Sequence, residues 1–113
     1  MKSIILVKSL GCWGESDSDR AISGDYGTLN KQGCYDKAKS LGYSVFAINN
    51  GSKCYTSPTA WSTYKKYGPI HSLCNGSLSN EVYQIQKGRL LVRKLFSVAI
   101  SLIFNRQFHY SFL

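Results

Sequence analysis

Four cysteines, Cys12, Cys34, Cys54 and Cys74, are spread almost evenly through the first two-thirds of the chain. That spacing constrains the fold more than any other feature. Zinc ribbons and fingers draw their ligands from close pairs, so the spacing excludes them. It also lacks the Cys-x-x-Cys of a dithiol redox enzyme. An even number of well-separated cysteines in a short chain predicts two disulfides, a small stapled domain and an oxidising compartment. Each bridge contributes roughly 2–4 kcal/mol, mostly by restricting the unfolded chain. Four cysteines allow three pairings, and their spacing does not choose among them.

With 113 residues the chain has room for one modest core. The cysteine-bearing part, residues 9–86, is of the size at which a core benefits from staples. The formal net charge is +8, unevenly placed. Residues 1–86 hold nine Lys/Arg against six Asp/Glu, whereas residues 87–113 hold Lys87, Arg89, Arg93, Lys94 and Arg106 with no acid. A nucleic-acid module concentrates basic residues on its folded face. Here the excess lies in the tail, which argues against nucleic acid as a partner.

Two Asn-x-Ser sequons, Asn50-Gly51-Ser52 and Asn75-Gly76-Ser77, fall in turn-like sequence and make Asn50 and Asn75 candidate glycosylation sites. With the cysteines they favour an extracellular, secreted chain. Residues 1–8 begin like a leader, with Lys2 before Ile4–Val7. A signal h-region needs roughly 7–15 apolar residues, so this segment reads as a truncated leader or the lead-in to a first strand.

The pattern along the chain is α+β. Ser3–Trp13 predicts a first strand, and the polar, Gly-spaced Gly14–Tyr26 a loop. Thr28 is a plausible N-cap for a helix whose buried stripe is Cys34, Ala38 and Leu41 and whose end is Gly42. Tyr43–Ile48 has central-strand composition. Asn50-Gly51 joins it to Lys53–Thr56 as a hairpin. Ser57-Pro58 opens a short helix, with Pro58 at its first position and Trp61 and Tyr64 on one face. Gly68-Pro69 stops it, and Asn80–Ile85 is the last strand. From Lys87 onward the chain is basic and apolar. Its uninterrupted apolar run, Leu95–Phe104, is half the roughly twenty residues a membrane span needs. This hydrophobic extension lies outside the domain: it reads as an extension without a role of its own, or as an interfacial segment touching a membrane.

The order of these pieces is familiar: Leu10-Gly11-Cys12-Trp13, Asp19-Arg20-Ala21-Ile22, Cys34, Gly42–Gly51, Cys54, Lys66-Tyr67-Gly68-Pro69 and Asn80–Ile85. It resembles the WSC-like and PAN/apple-like extracellular modules, in particular the version found in many-domain secreted proteins of cnidarians and other marine invertebrates. The resemblance covers residues 9–86. The chain carries fewer cysteines than typical WSC modules and is shorter after Cys74. The resemblance implies a small antiparallel sheet crossed by one helix. It also implies the pairings Cys34–Cys54 and Cys12–Cys74. The position of Cys34 on the buried helical stripe agrees with the first.

No catalytic constellation emerges. His71 is the one histidine inside the domain, and bridged cysteines offer no thiolate. Glu15-Ser16-Asp17-Ser18-Asp19 lacks the further ligands of a calcium loop. It reads as a solvated loop in which an acid pairs with Arg20, so no metal or other cofactor is expected. Trp13 and Phe46 read as core. Trp61, Tyr64, Lys65 and Tyr67 form the candidate ligand face, because Tyr and Trp offer stiff contact area with a polar tip. The expectation is a secreted, non-enzymatic recognition or adhesion module binding a glycan. The alternative is a structural, protein-interaction domain from a larger extracellular chain. A third reading is a membrane-active peptide using the tail.

Overall fold

A computed structural model describes residues 5–86. In chain order these form β1 (Val7–Gly14), β2 (Gly24–Thr28), α1 (Lys31–Leu41), β3 (Val45–Asn49), β4 (Lys53–Thr56), α2 (Ala60–Thr63) and β5 (Ser79–Ile85). The strands make one sheet in the order β1-β5-β3-β4-β2, with every neighbouring pair antiparallel. The fold is α+β, with two helices and two disulfides. The expectations for residues 1–4 and for the extension 87–113 lie outside the described residues.

The unbroken apolar run Val45–Ile48 of β3 sets the layering. Successive strand side chains point to opposite faces, so a strand without polar alternation needs cover on both. All five β3 residues are buried. Val45 and Ala47 cluster with Ile22, Tyr55, Ala60 and Val82. Phe46 and Ile48 cluster with Cys34, Tyr35, Ala38 and Cys54. The helix α1 therefore covers one face, while α2 and the loop carrying Ile22 cover the other. Phe46 is fully buried and its ring stacks on Tyr83 at 5.4 Å. Burial of a side chain of this size contributes roughly 1.5–3 kcal/mol.

Both expected disulfides are present. Cys34–Cys54 staples α1 to β4 with a Cα–Cα distance of 5.4 Å, and both residues are fully buried. Cys12–Cys74 ties β1 to the loop before β5 at 5.7 Å, and both residues are half-buried. The β3–β4 hairpin turns on Asn50 (φ 53°) and Gly51 (φ 73°), the pair of positive φ angles that a type I′ turn requires.

Several local expectations change. The segment Gly14–Tyr26 is not all loop, because its end begins β2, an edge strand paired with β4. Its Gly-Asp-Tyr-Gly-Thr sequence has little intrinsic strand preference, and the free edge of β4 supplies the pairing. Thr28 is thereby committed to the ladder opposite Lys53 and does not cap the helix. Asn30 caps α1, its side-chain oxygen accepting from Gly33 N–H at 2.8 Å. At the other end, Gly42 is left-handed and Tyr43 N–H donates to Ala38 C=O while Gly42 N–H donates to Lys39 C=O. This Schellman closure turns the chain away before Leu41 reaches the sheet, so Leu41 is exposed. Tyr35 and Tyr43 pack in that cluster instead.

The first strand starts at Val7, later than Ser3, and a bulge between Ser9 and Gly11 leaves Leu10 unpaired. The second helix starts at Ala60 with Thr59 before it, so Pro58 lies ahead of the first turn. Ser57 is buried and its hydroxyl makes no hydrogen bond among the described residues.

Candidate functional site

The segment after β4 winds through α2 and a run of turns to Gly68. Hydrogen bonds from Tyr64 N–H to Ala60 C=O, from Lys66 N–H to Thr63 C=O and from Gly68 N–H to Lys65 C=O hold it. It then lies along β1, where Ile70 N–H donates to Cys12 C=O and Gly14 N–H to Gly68 C=O. These contacts fix the four candidate ligand residues, but not as one patch. Tyr64 is half-buried and meets Trp13 edge-on, at 5.2 Å between ring centroids and 88° between planes. Lys65 Nζ lies 5.5 Å from the Tyr64 ring and 5.8 Å from the Trp13 ring. Tyr67 is turned toward the loop after β1, its hydroxyl donating to Asp19 C=O. Trp61 stands apart and is 62% exposed. Trp61 and Tyr64, expected on one face, differ in exposure: Tyr64 packs on Trp13 while Trp61 is open to solvent. Trp13 is itself half-buried, a platform for Tyr64 at the margin of the core cluster.

Lys66 does not join this face. Its ammonium pairs with Asp19 at 2.5 Å. The hydrogen bond from Lys66, then its charge, holds the Asp19 carboxyl below the usual range, and the same pair raises Lys66. Lys65 has no acidic partner among the described residues.

The loop beneath is organised by a residue whose role the sequence did not suggest. Glu15 is buried, contrary to the expected solvated loop. Its carboxylate accepts from Ser16 N–H at 2.9 Å, Ala21 N–H at 2.6 Å, Ile22 N–H at 3.2 Å and Asn80 Nδ2 at 2.8 Å. The expected pairing with Arg20 exists. Arg20 Nη2 lies 3.3 Å from Glu15 Oε2, close enough for an ion pair but without hydrogen-bond geometry. Arg20 also pairs with Asp17 at 3.1 Å. Its guanidinium lies 3.6 Å from the Tyr55 ring centroid, and burial raises the Tyr55 hydroxyl pKa. Thr63 donates to Ala21 C=O, so α2 rests directly on this loop. Only the Arg20 pairing had a sequence signal. The partnership with Asn80 spans the length of the domain.

The two sequons meet at the β3–β4 turn. Asn50 Oδ1 accepts from Gly76 N–H at 3.1 Å. Asn49 Nδ2 donates to Ser77 C=O, Ser79 C=O and Asn80 Oδ1. Beside this clamp an open groove of about 410 Å³ is lined by Ile70, Leu73, Asn75 and Leu78 with three serines. His71 is exposed, and His109 lies outside the described residues. Among the described residues no three His, Cys, Asp or Glu side chains converge as a metal site would require. No helix among them is long and apolar enough to cross a membrane. No family model matches the chain, and no curated protein matches it either.

Proposed function

We propose that the chain is an extracellular, non-enzymatic recognition module that holds a saccharide against Trp61. Two disulfides in a small domain are compatible with an extracellular location. The observation that carries the reading is the Trp61 ring. It is 62% exposed on a segment braced by Tyr67 and Lys66 to the Asp19 loop and by Thr63 to Ala21. A large stiff ring carried on a braced segment loses little entropy on stacking against a sugar. Lys65, held beside the Tyr64 and Trp13 rings, supplies a cationic donor on the same segment. The arrangement is in keeping with a WSC-like or PAN/apple-like module, and that kinship belongs to the same proposal. All four cysteines are bridged, which supports a role without thiol chemistry.

The test is retention of the oxidised protein on immobilised polysaccharides and a glycan array. Trp61→Ala is expected to abolish retention and Lys65→Ala to weaken it. Trp61→Ala leaves stability within about 0.5 kcal/mol, as expected for an exposed position. An oxidised, folded wild-type protein that no saccharide retains refutes the reading. Capture by a purified extracellular protein in the same test would favour the interaction-domain alternative.

A further inference from the structure

We propose that Asn75 carries an N-linked glycan whose first sugars lie over Leu73 and Leu78. The inference rests on the extracellular reading but not on the saccharide-binding role of Trp61. Leu73 is 82% exposed and Leu78 58%, unusual for two leucines lining one groove. The sequon Asn75-Gly76-Ser77 lines that groove between them. It therefore offers the occupant the leucines lack: a sugar chain whose ring faces pack on apolar carbon and whose hydroxyls meet the groove serines.

The two sequons are not equivalent. Asn50 spends its side-chain oxygen on Gly76 N–H and sits in a left-handed turn position. Around Asn75 the backbone is braced on every side. Cys74 is tied to Cys12, Gly76 C=O accepts from Ser79, and Ser77 C=O accepts from Asn49. The Asn75 side chain makes no hydrogen bond among the described residues and is exposed. A rigid turn thus presents a free carboxamide beside apolar surface, so an attached sugar is held in one place. In the transfer, Asn75 Nδ2 attacks the anomeric carbon of a polyprenyl-diphosphate oligosaccharide. The new C–N bond forms as the C–O bond to the diphosphate breaks. The diphosphate leaves with the electron pair and the amide loses one proton to base.

The experiment expresses the full chain behind a secretory leader in a eukaryotic host. Peptide mass mapping reads occupancy at Asn75, and peptide N-glycosidase removes the glycan to leave aspartate there. Occupancy at Asn75 is expected, lost in both Asn75→Gln and Ser77→Ala. Glycan removal is expected to raise the fluorescence of an apolar dye severalfold in wild type but not in Leu73→Ser/Leu78→Ser. Secreted, doubly disulfide-bonded protein with an unmodified Asn75 overturns the inference while leaving the extracellular reading intact. Dye binding unchanged by glycan removal overturns it as well. So does a glycosylated protein that dimerises through the leucines, which would make a second copy the occupant. A chain that the host neither oxidises nor secretes overturns both.

Discussion

Replacing Glu15 by alanine is expected to be the most damaging single substitution of a charged residue among those described. The carboxylate is shared by three backbone N–H groups, by Asn80 and by the Arg20 ion pair. Truncation leaves Ala21, Ile22 and Asn80 donors inside the fold, where their residues are at most 3% exposed. Removing one partner of a buried ion pair costs about 3–5 kcal/mol. Each stranded donor costs about 1–3 kcal/mol. These do not add, because the loop can open and admit water, so the expected loss is about 3–5 kcal/mol. At roughly 0.05–0.15 kcal/mol per residue, that is about a quarter or more of the stability of such a domain. Glutamine keeps the volume but loses the charge, and charge-assisted bonds are roughly twice as strong as neutral ones. Glu15→Gln is therefore expected to lose about half as much. Urea unfolding followed by tryptophan fluorescence reads both, since Trp13 lies two residues away. The melting temperature of Glu15→Ala should fall by about 12 °C or more, given about 4 °C or more per kcal/mol for a domain of this size. A Glu15→Ala protein within about 0.5 kcal/mol of wild type refutes the reasoning.

Other outcomes follow from the same geometry. Under limiting reductant, Cys12–Cys74 should open before Cys34–Cys54, because its cysteines are half-buried while the others are fully buried; timed alkylation and peptide mapping would show the reverse order if burial does not govern access. Gly24→Ala should cost about 1–3 kcal/mol in urea, since a Cβ there would stand 2.1 Å from Thr56 C=O and force β2 off β4; a neutral substitution would mean that β2 contributes nothing. Burial, reinforced by donation to Glu81, pushes the Tyr83 hydroxyl from 10.0 up to about 12. The folded state keeps a proton that the unfolded chain releases, so this contribution is complete below pH 10 and is lost as pH rises toward about 12. Tyr83→Phe should flatten stability against pH in that window, and a folded-state tyrosinate titration with no late component would contradict it.

What could be read from the chain was what local chemistry decides. The hairpin at Asn50-Gly51 was legible because few dipeptides accept two positive φ angles. Cys34 was placed on the core face of α1 by its spacing from Ala38, and β3 was placed at the centre by its unbroken apolar run. The strand β2 escaped notice because its residues pair only where β4 offers an edge. Leu41 misled because helical periodicity does not report where the sheet beneath ends. Glu15 was mistaken for a solvated acid because its neighbours Ser16 to Asp19 are polar, while the donors that bury it come from Ala21, Ile22 and distant Asn80. For the ligand face, exposure at Trp61 and packing at Tyr64 differ although the residues are three apart. Only the presence of Trp13 on the neighbouring strand separates them.

The strand order also bears on how the domain assembles. Strands β3 and β4 are sequence neighbours across the three residues Asn50, Gly51 and Ser52, whereas β1 meets β5 from opposite ends of the domain, Val7 beside Ile85. Closing the longer loop costs about 2.5 kcal/mol more in chain entropy. The hairpin is thus expected to nucleate and β1 to dock last, with folding-rate changes largest for substitutions in β3 and β4 and smallest in β1. Trp13 and Glu15 arrive with that final strand. The platform that orients Tyr64 and supports α2 is therefore completed in the closing step of folding, so the candidate binding face forms only once the whole sheet is in place.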